Sequence, residues 1–152
     1  MACGNDSGET SGDQISFEQA IYRNAVQQNE NMAEIDNAIG HEPSLTAAQQ
    51  SKLRDLSNTV HDHLTPDDFT GTTADLQGNP IPKPGGGYWN HEAEMQASYK
   101  SITKIDRSLT KMLGNPNLCD NARALLSKAL TIARSEKSMI ENLYAQYGGK
   151  LQ

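Results

Sequence analysis

The side chains best suited to chemistry gather near the middle of the chain. His91 and Glu94 stand three residues apart at the start of a helical pattern, so they are neighbours, His91 on the inward side with Ile102, Ile105 and Leu109 and Glu94 on its edge. An imidazole and a carboxylate placed this way can trade protons with a substrate. The positive end of a helix disfavours imidazolium, which keeps His91 neutral and able to act as a base. The plainer alternative has His91 packing beneath Trp89 while Glu94 only complements the helix dipole. Lys83, between Pro82 and Pro84, sets a cation on a stiff loop nearby. There it can neutralise a phosphate or a developing oxyanion, or simply face solvent. Tyr88 and Trp89 can stack on a base, although a sole Trp at a helix start also serves as a core anchor. Asp67, Asp68 and Asp75 add carboxylates that can donate a proton or hold a divalent ion, and a helix-start role already accounts for the first two. His61-Asp62-His63 is rejected as a metal site, because residues two apart on a helix point different ways. Phosphate-binding loops, dinucleotide fingerprints, nucleophile elbows and zinc-type Cys/His spacings are all absent from the sequence.

A second group is electrostatic. Lys100, Lys104, Arg107 and Lys111 follow one another by four, three and four, which puts them in one row opposite the apolar stripe of the same helix. Arg123, Arg134 and Lys137 cluster similarly further on. Such a row can track a phosphate backbone, or it can be an ordinary solvated face.

These residues need elements to hold them. Gly78 to Met95 carries Pro80, Pro82, Pro84 and the run Gly85-Gly86-Gly87, so it must be a shaped loop that empties into a helix at Asn90. Ahead of it the periodicity predicts three helices. One starts at Ser16, with Gln19 completing a capping box, and runs to Gly40. The next starts at Thr46 with Gln49, and a third starts at Thr65-Pro66 and ends near Gly78. Behind the loop, Met95 to Leu113 and Leu118 to Leu143 each carry an apolar stripe, separated by Asn115-Pro116-Asn117. They should fold back as an antiparallel hairpin. The expected class is all-α, about five helices with a Pro/Gly-rich loop before the C-terminal hairpin.

With 152 residues and 36% apolar content, the chain can bury a core of modest size built on Leu, Ile and Ala. No apolar run is long enough for a membrane-spanning helix, and no apolar segment after Met1 makes a signal peptide. Ala2-Cys3-Gly4 is similar to the residues around a lipoprotein cleavage site, so a truncated lipoprotein is a minor alternative. Residues 1–64 hold ten acids against three bases, and residues 65–152 nine against ten, within a net charge of −6. That acidity argues against general nucleic-acid affinity while leaving room for a local basic surface. Composition and charge divide the chain into a disordered tail over 1–14, a helical N-terminal segment over 15–63 and a helical domain over 64–152.

Four stretches together, DFTG (Asp68–Gly71), ADLQGNPIPKPGGGYWNHEAEM (Ala74–Met95), GNPNL (Gly114–Leu118) and YGG (Tyr147–Gly149), resemble the polymorphic toxin type 28 domain. The likeness covers roughly residues 64–149. It implies a mostly helical C-terminal module of a secreted bacterial toxin, an RNase acting in the cytoplasm of a competing cell, and a cognate immunity protein in the producer. Residues 15–63 would then be a remnant of the upstream delivery polypeptide. From their chemistry here, His91, Glu94, Lys83 and Asp68 are the expected catalytic set, with no metal or other cofactor. Lys100, Lys104, Arg107, Lys111, Tyr88 and Trp89 are the expected RNA contacts. A non-catalytic helical interaction or delivery module, and a metal-dependent DNase toxin, are the alternatives.

Overall fold

Three capping boxes set where the first helices begin. In each, a Ser or Thr hydroxyl accepts the backbone N–H three residues on, and that residue's side chain returns to the cap N–H: Ser16 with Gln19, Thr46 with Gln49, Thr65 with Asp68. The structure, a computed structural model, describes residues 16–152, so the tail assigned to 1–14 and Cys3 lie outside it. Six helical segments follow: α1 (Phe17–Asn31), α2 (Ala33–Ala38), α3 (Ala47–His63), α4 (Pro66–Leu76), α5 (His91–Leu113) and α6 (Asp120–Tyr147). The class is all-α.

The single helix expected from Ser16 to Gly40 is broken at Met32, whose N–H is shared between the carbonyls of Gln28 and Glu30. Asn31 and its neighbours Gln27 and Gln28 bond to one another there through their side-chain amides. Met32 stays fully buried, so the apolar face continues through the interruption. Gly40 follows with φ of 82°, the left-handed conformation that ends the segment. The last helix is capped at Cys119, which makes no side-chain bond there.

α5 and α6 pair antiparallel, as three cross-links of falling register show. Tyr99 donates to Glu141 Oε2 at 2.6 Å, Arg134 Nε reaches Asp106 Oδ2 at 3.3 Å, and Arg123 Nη1 donates to the Leu113 carbonyl at 3.2 Å. Ile102, Ile105 and Leu109 meet Leu126, Ile132, Ile140 and Leu143 in the core, with Leu53, Leu56 and Val60 of α3 and Phe69 of α4 in the same cluster.

That core runs through the boundary expected at residue 64. Ile21 and Ala25 of α1 and the α3 stripe are buried with the second half, so 16–63 is built into the fold that carries the loop. Polar ties reinforce it. Tyr147 donates to Glu18 Oε2 at 2.7 Å, and Lys128 Nζ donates to Glu34 Oε1 at 2.8 Å. One acid sits inside. Glu136 of α6 is fully buried, neither oxygen has a partner among the described residues, and burial pushes its carboxyl well above the ordinary range.

Candidate active site at the start of the fifth helix

The Pro/Gly loop is a small hairpin. Pro82 bridges Tyr88, Lys83 N–H donates to Gly87 O at 2.9 Å, and Trp89 N–H donates to Ile81 O at 2.9 Å. Gly85, Gly86 and Gly87 turn it with φ of 88°, 117° and 75°, which side chains with a Cβ rarely adopt. The hairpin sets Lys83 Nζ 5.1 Å from the centre of the Trp89 ring, a cation–π contact. Trp89 in turn lies 6.3 Å, centre to centre, from the His91 ring. Lys83, Trp89 and His91 therefore stand in sequence, with Tyr88 63% and Trp89 44% exposed.

The other wall is α4. Its residues Asp68, Gly71, Thr72 and Asp75 recur by three and four, one face of a helix. His91 lies directly on Gly71, where any Cβ would overlap the imidazole. Thr72 Oγ1 donates to Asp68 O (2.8 Å) and sits 3.4 Å from His91 O. Asp75 Oδ2 accepts the Glu92 N–H at 2.8 Å, capping α5 from a neighbouring helix, while Asn90 Oδ1 accepts from Ala93. At this junction two buried atoms have no partner among the described residues: Asp75 Oδ1 and His91 Nδ1. With Nδ1 enclosed, Nε2 is the ring nitrogen open to approach. Beneath them Tyr144 of α6, almost fully buried, directs its hydroxyl at Glu92 O (3.5 Å). Burial, then the charges of Glu92 and Asp75, raise its pKa, so it stays a neutral phenol.

The expected catalytic residues do not all converge. His91 faces inward as projected, and Lys83 reaches it through Trp89. Glu94, projected to the inner edge of α5, is exposed instead. The Asp68 Oδ2 is taken by Thr65, accepting its N–H at 2.9 Å and its hydroxyl at 2.8 Å. Gly71, Thr72 and Tyr144 were not singled out by the sequence reading, and Asp75 figured only as an acid or ion ligand. The i, i+3, i+4, i+7 row on α4 was the available signal. The basic row came out as projected: Lys100, Lys104, Arg107 and Lys111 are all exposed, on the side of α5 away from His91. Arg123 is drawn off to the α5–α6 connection, where it donates to Leu113 and Asn115 carbonyls.

The family model of bacterial toxin 28 matches residues 44–146. Over 72 residues, 47% of this chain, the sequence is 36% identical to the tRNA nuclease CdiA of Escherichia coli O6:K15:H31 (strain 536 / UPEC). The match spans 2% of that protein's length.

Proposed function

Since the chain belongs to the bacterial toxin 28 family, we propose that it is the nuclease part of a polymorphic toxin and that it cleaves RNA without a metal at the α4–α5 junction. The observation that carries this reading is His91: an imidazole at a helix start, pressed on Gly71, with one nitrogen enclosed and the other open. The name of the similar CdiA, a tRNA nuclease, supports RNA as the substrate.

The chemistry divides among few groups. His91 Nε2 takes the proton of a ribose 2′-hydroxyl, whose oxygen then attacks the adjacent phosphorus. The 5′-oxygen leaves with a proton from an acid, and the strand ends as a 2′,3′-cyclic phosphate and a 5′-hydroxyl. Asp68 on α4, through the oxygen that Thr65 does not hold, and Glu94, exposed on the first turn of α5, are the acids proposed for that role. Lys83 balances charge on the phosphorane, and Trp89 with Tyr88 stacks a base beside it. The producer cell would hold a cognate immunity protein, and the toxin would be secreted and act in the target-cell cytoplasm.

Induced expression in bacteria lacking the immunity gene tests this. Wild type should arrest growth and fragment RNA, and His91→Ala should do neither while remaining folded. Equal harmlessness of both folded proteins would leave a non-catalytic interaction module as the better account.

A further inference from the structure

We infer that the groove between the C-terminal half of α5 and the middle of α6 is a phosphate clamp for the same RNA, and that good substrates are folded RNAs whose stem reaches it; this rests on the ribonuclease reading above. Arg107, Thr110 and Lys111 of α5 face Arg134 and Lys137 of α6 across an open groove of about 400 Å³. Its one carboxylate among the described residues, Asp106, is already committed. Arg134 holds it with Nε at 3.3 Å and Nη2 at 3.4 Å, and the same Nη2 donates to Thr110 Oγ1 at 3.2 Å. That pairing fixes one guanidinium in place. Arg107, Lys111 and Lys137 have no carboxylate within ion-pair distance among the described residues. Four cations around one neutralised acid, in a chain of net charge −6, form a local anion site.

The lining also bears on what kind of polyanion fits. Interfaces with proteins depend on buried aromatic or aliphatic anchors, and these groove walls offer cations and hydroxyls instead. Phosphates need only those. Lys104 and Lys100 continue the row along α5 towards the hairpin that holds Lys83 and Trp89. At 1.5 Å per helical residue, Arg107 and Lys111 lie about 24 and 30 Å along the axis from His91. An RNA on the outer face of α5 can rest its backbone in the groove and fold its cut end over the hairpin to His91. A short A-form stem, on the order of ten base pairs, spans a distance of that order. Because it is rigid, it holds both points at less entropic cost than a flexible strand.

Folded, unfractionated bacterial tRNA and oligonucleotides too short to reach the groove are suitable probes, with Lys111→Glu/Lys137→Glu as the variant. Neither lysine is buried, so thermal melts should match wild type. Wild type should cleave tRNA with kcat/KM about tenfold or more above the short RNA, and the variant should lose most of that advantage. In a His91→Ala background, where binding is read without cutting, the slope of log affinity against log salt for tRNA should shrink by about 1.5. An unchanged slope, or a retained preference for tRNA in the variant, overturns the clamp. A polyglutamate that competes for the groove as well as tRNA does would overturn it in favour of an acidic protein. Failure of wild type to cleave either RNA strikes the ribonuclease reading instead, since the salt slope reads the clamp by itself.

Discussion

Asp68 shows how one carboxylate can serve two ends. Its Oδ2 completes the cap of α4 with Thr65, leaving the other oxygen free on the face that carries Gly71 and Asp75. Capping alone can be removed from either side of the pair, which separates the roles. Thr65→Ala and Asp68→Ala should each cost about 1 kcal/mol of stability. RNA cleavage should fall at least about tenfold further in Asp68→Ala, the cost of losing one proton donor. Equal activity in the two variants, measured beside their denaturant curves, would reduce Asp68 to a cap. His91 was legible as an inward residue at a helix start because helical periodicity fixes direction. Glu94 was not, since at three residues from His91 it sits at the edge of the stripe, and only the packing of neighbours decides whether an edge is covered.

At the level of elements, the site is the close approach of α4 to the first turn of α5. Gly71 permits it, and Asp75 holds it by capping a helix other than its own. Neither contact is local in sequence, so no spacing rule reveals which residue lies under His91. The Thr65-Pro66 start, the Asn90 cap and the hairpin of α5 with α6 were legible, because each rests on neighbouring residues or a repeated stripe. Gly71→Ala tests the approach. Helix propensity favours Ala by about 1 kcal/mol, which offsets part of the overlap with the imidazole. Stability should therefore change by less than about 2 kcal/mol, while cleavage drops towards that of His91→Ala. Wild-type activity in a folded Gly71→Ala protein would show that His91 need not lie on α4.

Across the whole molecule, residues 16–63 share the core that positions the site, although charge and pattern had set them apart. An apolar stripe declares that a face is buried, not against what. Glu136 escaped notice for a related reason: a charged residue within a good stripe reads as surface until its neighbours are known. It is buried without a partner among the described residues, and its carboxyl keeps its proton well above the ordinary value of 4.5. The folded state then holds more protons than the unfolded one, so this group's contribution to stability falls as pH rises from 4.5 through the raised folded value. Glu136→Met should stabilise the protein by about 1–3 kcal/mol at pH 7 and less at pH 4.5. Denaturant unfolding of both proteins across that range checks it, and a gain independent of pH would point to packing alone.

The central claim is that His91 activates a ribose hydroxyl, so the strand's own oxygen is the nucleophile. End-group analysis of RNA cut by the purified chain in EDTA reads this most directly. The expected ends are 2′,3′-cyclic phosphate and 5′-hydroxyl, formed by wild type and absent with folded His91→Ala. Ends bearing 5′-phosphate, or cutting abolished by EDTA, would contradict it.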